Sequence, residues 1–383
     1  MAKKIAVVTG SRADFGLLRS VCDHLEQDIH MSLSLLVTGS HLSKHHGRTK
    51  SEIDGAAYKN VIEIDLKIDG DAGNDINTYI SRSIRLFGTH LQECDIDCLV
   101  VLGDRYEIFG AAIAAAILNI PIAHIHGGEV TAGAFDEFIR HSITKMSSIH
   151  FTSTEIYRKR VIQLGEDPST VFYVGGLGAE NIEKFKLEHG KLLTRHTLEK
   201  QLDFKLKDKI FVVTYHPVTL ALAGMAHELK SLLNVLQNHY STSMLFSMPN
   251  ADTGNHEVFE MINEFVLRDP ANRKVFHSLG QLKYFSILNL ATAVIGNSSS
   301  GLLEAPSFHV GTVNIGDRQR GRVYGESVVN VSSEKNDIAR GIDLVCSSKF
   351  RNKLGTFNNP YYKKDTAQNI INRLANFKPS VKG

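Results

Sequence analysis

The chain has 383 residues, 43% of them hydrophobic and 22% charged, with a formal net charge of +2. That length is a prior for roughly two or three domains with ample core, and a charge so near zero offers no field for nucleic acid or a membrane surface as the main partner. The four cysteines, Cys22, Cys94, Cys98 and Cys346, show neither a disulfide framework nor the paired spacing of a zinc site, which implies reduced thiols in a cytoplasm.

The opening MAKKIAVVTG places a short apolar run after two lysines. It reads as a first strand, too short for the core of a signal peptide, and no later run approaches the ~20 apolar residues of a spanning helix. Residues 5–9 form a continuous apolar run with β-branched residues, the pattern of a strand buried in a parallel sheet. GSRADFG follows, and Leu17, Leu18, Val21, Cys22 and Leu25 then fall at helical spacing. A strand, a glycine loop and a helix aim backbone N–H groups at an anion. Arg12 in that loop either meets a diphosphate or is a solvated loop arginine. Residues 33–37 form a second strand ending in TGSHLSKHHGRTKSEI, where His41, His45 and His46 lack a carboxylate or cysteine at ligand spacing. That segment reads as a mobile polar loop over the site, not a metal centre. Ile62, Ile64 and Leu66 alternate as a half-buried strand, and Ile76, Ile80, Ile84, Phe87 and Leu91 mark one face of a long helix. Residues 98–102 are the central strand, 108–118 a helix apolar nearly all round and hence buried, and 121–125 another strand. Phe135, Phe138, Ile139, Ile143 and Met146 stripe the next helix, and residues 149–152, 157–164 and 171–174 continue the alternation. This predicts a doubly wound, Rossmann-like domain.

Gly175 and Gly176, followed by a lysine- and glutamate-rich stretch over 183–209, mark a boundary and linker. The pattern then restarts, with strands over 210–215, 244–248, 292–295 and 312–315 that end in HPVT, PNADTG, GNSSSG and GDRQRGR. A second Rossmann-like α/β domain follows. The amphipathic segment 366–377 can pack on either domain.

Proton-transfer groups gather after two strands of the first domain. GDRYE sets Asp104 and Arg105 directly after the central strand, where partial burial can raise an acid's pKa for general acid–base work. His126 ends the next strand in HIHGGE, and the glycines before Glu129 permit close approach of a substrate. Asp136 stands four residues before Arg140 on a helix, an acid for chemistry or half of a surface ion pair. In the second domain, GNSSSG offers glycine freedom, the hydroxyls of Ser298 and Ser299 and a helix starting near Leu302: a pyrophosphate cradle, or a cluster of capping serines. Glu304, one turn into that helix, suits ribose hydroxyls better than phosphate, or serves the helix dipole. His216, Asn250 and Arg318 can each reach phosphate or hold their own loops. Together the motifs indicate an enzyme moving protons at a carbon of a nucleotide-bound sugar, since open α/β sheets keep their sites at the carboxyl ends of strands.

The stretches TGSRADFG, VTGSHLSKHHGRT, GDRYE, HIHGGE with DEFIRHSITK, HPVT, NADTG, GNSSSG and INIGDRQRGR run in order through nearly the whole chain. They resemble the hydrolysing UDP-N-acetylglucosamine 2-epimerases of bacterial sialic acid synthesis. The resemblance implies the glycosyltransferase B fold, two Rossmann-like domains facing across a cleft with UDP held mainly by the second. It also implies an organisation of residues 1–175 completed by a terminal helix over 364–380, and of residues 176–363. The activity implied is conversion of UDP-GlcNAc and water to ManNAc and UDP, by anti elimination to a glycal and then syn hydration, the first step of sialic acid synthesis. No metal or other cofactor is implied, the partner is the UDP-sugar, and the assembly is a homodimer or homotetramer. Catalytic acids fall on Asp104 and Asp136, and UDP contacts on Arg12, Arg105, His216, Asn250, Ser298, Ser299, Glu304 and Arg318. Several relatives carry glutamate where this chain has His126, which leaves His126 and Glu129 as competitors for proton transfer. Alternatives are the same chemistry on a UDP-2,4-diacetamido-2,4,6-trideoxyhexose of the legionaminic acid pathway, a non-hydrolysing epimerase, and a glycosyltransferase of the same fold.

Overall fold

The computed structural model describes residues 2–43, 50–56, 58–67, 73–130, 136–188, 192–216, 222–247, 256–276 and 279–378. It divides into two compact units, one of Met1–Val130, Ala134–Asn181 and Lys363–Gly383, the other built on Ile182–Tyr362. In chain order the first unit runs β1 (Lys3–Thr9), α1 (Arg12–Gln27), β2 (Met31–Val37), α2 (Ser51–Asp54), β3 (Val61–Glu63) and α3 (Gly73–Glu93). It continues with β4 (Cys98–Leu102), α4 (Tyr106–Ile117), β5 (Ile122–Ile125), α5 (Asp136–Met146), β6 (Ile149–Thr152), α6 (Glu155–Gln163) and β7 (Val171–Tyr173). The chain passes to the second unit within α7 (Leu177–Glu188). There follow α8 (Arg195–Leu202), β8 (Lys209–Thr214), α9 (Leu222–Leu236), β9 (Thr242–Ser247), α10 (His256–Leu267), β10 (Arg273–Phe276) and α11 (Gly280–Leu290). The remaining elements are β11 (Ala293–Gly296), α12 (Ser300–Leu303), β12 (Gly311–Ile315), β13 (Val328–Val331), α13 (Lys335–Cys346), α14 (Ser348–Arg351) and α15 (Thr366–Asn376).

Both sheets are parallel, with strand orders β3-β2-β1-β4-β5-β6-β7 and β10-β9-β8-β11-β12-β13. The expected class, two Rossmann-like α/β domains, is what the chain adopts. The apolar strand runs follow from burial on both faces. In β1, Ile5 and Val7 face the core shared with α1, while Ala6 and Val8 face the one shared with α3, α4 and α5. In β8, Phe211 and Val213 face one core and Ile210 and Val212 the other. Each order reverses direction once, between β1 and β4 and between β8 and β11, and such switch points open a crevice at the carboxyl ends.

The terminal helix α15 belongs to the first unit. Ile370, Ile371 and Leu374 join the α1 core, each contributing ~1.5–3 kcal/mol through burial. Glu180 Oε2 accepts the Ala367 N–H at 3.0 Å, and Lys3 Nζ donates to the carbonyls of Leu374 and Phe377 at 2.8 and 2.5 Å. A carboxylate thus meets the positive end of the helix and an ammonium the negative end. Gly175, at φ 99°, lies where any Cβ would come within 2.6 Å of Lys363 Cβ, so it makes room for this returning segment.

Several expectations need correction. The charged stretch 183–209 is not a free linker, because it contains the second half of α7 and all of α8, and Leu198, Leu202, Phe204 and Leu206 enter a core of the second unit. His41 closes a 3-10 turn and is fully buried; Thr9 Oγ1 lies 3.0 Å from its Nε2 and Phe15 meets its ring edge-on. His45 and His46 lie outside the described residues. Strand β3 stops at Glu63, though Ile64 and Leu66 remain buried. Ile117 at the end of α4 and Phe138 on α5 are 71% and 62% exposed, so neither helix buries its whole apolar set.

Candidate active site

The first group of candidates is organised around Arg140. That residue, on α5, is only 4% exposed. Nη2 donates to Asp104 Oδ2, and Nη1 donates to the Glu129 carbonyl at 2.6 Å and to Glu137 Oε2 at 3.1 Å. One guanidinium therefore ties the loop after β4, the loop after β5 and the first turn of α5, which its planar fork suits better than an ammonium would. Asp136 opens that same acidic turn and is half-buried.

His126 follows β5 directly. Its N–H donates to the Phe151 carbonyl at 2.8 Å, while its φ of 65° turns the chain out of the ladder, an uncommon conformation for a side-chain-bearing residue. The Nδ1 atom lies 3.8 Å from Glu129 Oε1, and the Leu177 N–H approaches Nε2 at 3.4 Å. These contacts favour a proton on Nδ1 and a lone pair on Nε2. Burial lowers the pKa of His126, against the pull of Glu129, so the ring is neutral at pH 7. Ser153 Oγ donates to Glu129 Oε1 at 2.6 Å and holds that carboxylate in place. Asp104, His126 and Glu129 thus share one cluster.

Arg105 sits beside it as the residue capping α4. Its Nε donates to Glu107 Oε1 at 2.6 Å and lies 3.7 Å from Asp14 Oδ2. Glu107 is fully buried, and its Oε1 would be 2.4 Å from any Cβ on Gly10, so its side chain occupies room that only a glycine leaves there. Burial raises the Asp14 pKa to about 6, opposed by Arg105 and reinforced by Glu107. Ser11 caps α1 by accepting the Asp14 N–H at 3.3 Å, and Arg12, exposed, is the first residue of that helix.

The second group lies at the carboxyl ends of β8, β11 and β12. His216 follows β8, and the Asn297 amide after β11 accepts its N–H at 2.7 Å and donates to its carbonyl at 2.8 Å. Arg318 Nη1 and Gln319 Nε2 donate to the Asn297 carbonyl at 3.0 and 2.8 Å. Burial, then the Arg318 charge, lowers the His216 pKa to about 4. Ser298 Oγ accepts the Ser300 N–H at 3.3 Å, and Ser299 precedes α12. That helix starts at Ser300 and lasts one turn; Pro306 in the following 3-10 turn cannot supply an N–H to extend it. Glu304 therefore ends α12, with Ser300 Oγ donating to its Oε2 at 2.5 Å and Tyr284 bonded in turn to Ser300. Burial raises the Glu304 pKa. Asn250 lies outside the described residues.

In the first unit Asp104, His126 and Glu129 come together, and in the second Asn297 joins His216 and Arg318. Residues that sequence reasoning left out are Asn297, Gln319, Glu107 and Asp14; all four sit inside the motifs GNSSSG, GDRQRGR, GDRYE and GSRADFG, so adjacency was a usable signal. Among the described residues no group of three or more His, Cys, Asp or Glu is placed to hold a metal ion, and no helix is long and apolar enough to cross a membrane.

Comparison with known proteins agrees with the fold and with the family resemblance. The chain is 39% identical to the polysialic acid biosynthesis protein P7 of Escherichia coli, over 98% of this chain and 94% of that one. It is 36% identical to a GDP/UDP-N,N'-diacetylbacillosamine 2-epimerase (hydrolyzing) of Campylobacter jejuni, over 91% and 89%. The fold is that of the UDP-GlcNAc 2-epimerase from Neisseria meningitidis, whose crystal structure is bound to UDP-GlcNAc, with a TM-score of 0.79 at 20% identity over 97% of this chain and 99% of that one. The family model described as UDP-N-acetylglucosamine 2-epimerase matches residues 23–375, nearly the full length, and the chain belongs to that family.

Proposed function

We propose that the protein hydrolyses UDP-GlcNAc to ManNAc and UDP. The observation that carries the proposal is the Arg140 cluster, which brings an acid, Asp104, and a neutral imidazole, His126, together at adjacent strand ends. In the first half-reaction a base takes the proton from carbon 2, the electron pair forms the carbon 1–carbon 2 double bond, and the carbon 1–oxygen bond breaks with its pair leaving on UDP. In the second, the oxygen of water bonds to carbon 1, water loses a proton, and carbon 2 gains one on the face that inverts it. Asp104 and His126 are assigned the proton transfers, Glu129 standing behind His126, and Asp136 the water or the sugar hydroxyls. A neutral histidine can accept a proton at pH 7, as the glutamate of several relatives would. Arg12, Arg105, His216, Asn250, Ser298, Ser299 and Arg318 are assigned to the UDP diphosphate, whose departing charge fixed donors stabilise, and Glu304 to the ribose. This activity would open sialic acid synthesis.

A second reading keeps the chemistry and changes the sugar to a UDP-2,4-diacetamido-2,4,6-trideoxyhexose. The name of the Campylobacter jejuni relative, which is 36% identical, favours it. Incubation with each UDP-sugar in D₂O, followed by proton and phosphorus NMR, tests both. Free UDP and ManNAc deuterated at carbon 2 are expected from UDP-GlcNAc. An unchanged UDP-GlcNAc with a consumed diacetamido donor selects the second reading. Accumulation of UDP-ManNAc, or release of UDP only with an added acceptor sugar, would overturn both.

A further inference from the structure

We propose that Asn297 is the positioning residue of the diphosphate site, setting His216 and Arg318 as one unit through its side chain and its own carbonyl. This rests on the reading of the second unit as the UDP-binding half. Asn297 is 2% exposed, so it is not itself placed to be a principal ligand contact. The ladder between β8 and β11 ends at the pair Gly296 and Thr214. One residue further, the Asn297 amide replaces the ladder, pairing with both backbone groups of His216 at 2.7 and 2.8 Å. Its N–H donates to the Thr214 carbonyl at 3.1 Å, and its carbonyl takes donors from Arg318 and Gln319 on the loop after β12. Two donors fill both lone pairs of that carbonyl. Three strand-end loops therefore meet on one buried residue.

Gly296 makes the arrangement possible. Its φ is 133°, and a Cβ there would lie 1.9 Å from the Thr214 carbonyl oxygen. The chain leaves β11 at this turn and carries Asn297 across to β8. With Nη1 of Arg318 engaged on Asn297, the guanidinium is held at one edge, and its other N–H groups retain donors for an anion. His216 is neutral through burial, so it serves a phosphate oxygen through a ring N–H, whose direction depends on the backbone that Asn297 clamps. An alanine here deletes two neutral hydrogen bonds, each worth about fivefold in an equilibrium constant.

The test is to titrate the intact protein and its Asn297→Ala and Asn297→Asp variants with UDP and, separately, with uridine, by calorimetry or ligand-observed NMR. Asn297→Ala is expected to weaken UDP about 30-fold while leaving uridine within about twofold. Asn297→Asp has the same shape but loses the donor to the His216 carbonyl and adds a negative charge beside the anion. It is expected to weaken UDP still more, again sparing uridine, and it serves if the alanine variant fails to fold. Equal losses for both ligands would make Asn297 a residue of the fold alone and overturn the proposal. So would an unchanged UDP affinity. A wild-type protein that binds uridine but gains nothing from the diphosphate overturns the underlying function reading as well.

Discussion

Replacing Asp14 by asparagine tests how burial governs a charge at the head of α1, one contact away from Arg105. The Asp14 side chain is 15% exposed. Burial pushes its pKa from 3.8 to about 6, even with the Arg105 guanidinium 3.7 Å away. Between those two values the folded chain holds a proton that the unfolded chain has released. The stability contributed by this group is thus fully present below about 3.8 and is lost as pH rises through about 6. The difference between 3.8 and about 6, at about 1.36 kcal/mol per pH unit, is ~3 kcal/mol. Asparagine has the same shape and stays neutral. Asp14→Asn should therefore match wild type near pH 4 and exceed it by ~3 kcal/mol near pH 8, measured as paired urea unfolding curves at several pH values. A difference that does not change with pH, or a variant less stable than wild type near pH 8, would refute the reasoning.

Other expectations concern the chemistry and the second unit. Asp104→Asn should lower kcat by about 10²- to 10⁴-fold, the range of a lost general acid or base, with UDP binding retained; turnover within a few-fold of wild type would remove Asp104 from proton transfer. His126→Leu should suffer a similar loss and His126→Glu should recover much of it, because either side chain can exchange a proton at that position. Burial lowers the His126 pKa below 6.5, so the acid limb of the wild-type pH–rate profile should lie below that value, and a limb above it would contradict the assigned neutral ring. Gly296→Ala combines strained backbone, about 1–3 kcal/mol by itself, with a Cβ 1.9 Å from the Thr214 carbonyl. It should lower the Tm and abolish stabilisation by UDP; a wild-type Tm with a normal UDP response would show that the turn can relax.

The strands and their order of appearance were legible because parallel strands buried on both faces must be continuously apolar, as in residues 5–9, 98–102 and 210–215. The motifs after them were legible because chemistry at an open α/β sheet concentrates where strands end. Strands β10 and β13 were not seen. They are four-residue strands at the sheet edges, RKVF, which is half-polar, and VVNV, whose apolar run is too short to stand out. The stretch 183–209 read as linker because its lysines and glutamates outnumber the few apolar residues, and only packing reveals that Leu198, Leu202 and Phe204 are core.

At the candidate sites, local sequence determined which loops bear acids, hydroxyls and arginines, since those depend on residue type and on position after a strand. What each group touches was decided by tertiary structure. Arg140 stands one helical turn from Asp136, and its bonds to Asp104 and the Glu129 carbonyl join segments 36 and 11 residues distant. His41 looked like a loop residue and is buried against Thr9 and Phe15, which lie far back along the chain in and after β1. Asn297 was one letter of a phosphate motif, and became the junction of three loops only when β8, β11 and β12 were laid side by side. Hydrogen bonds and desolvation act between neighbours in space, and neighbours in space are set by strand order.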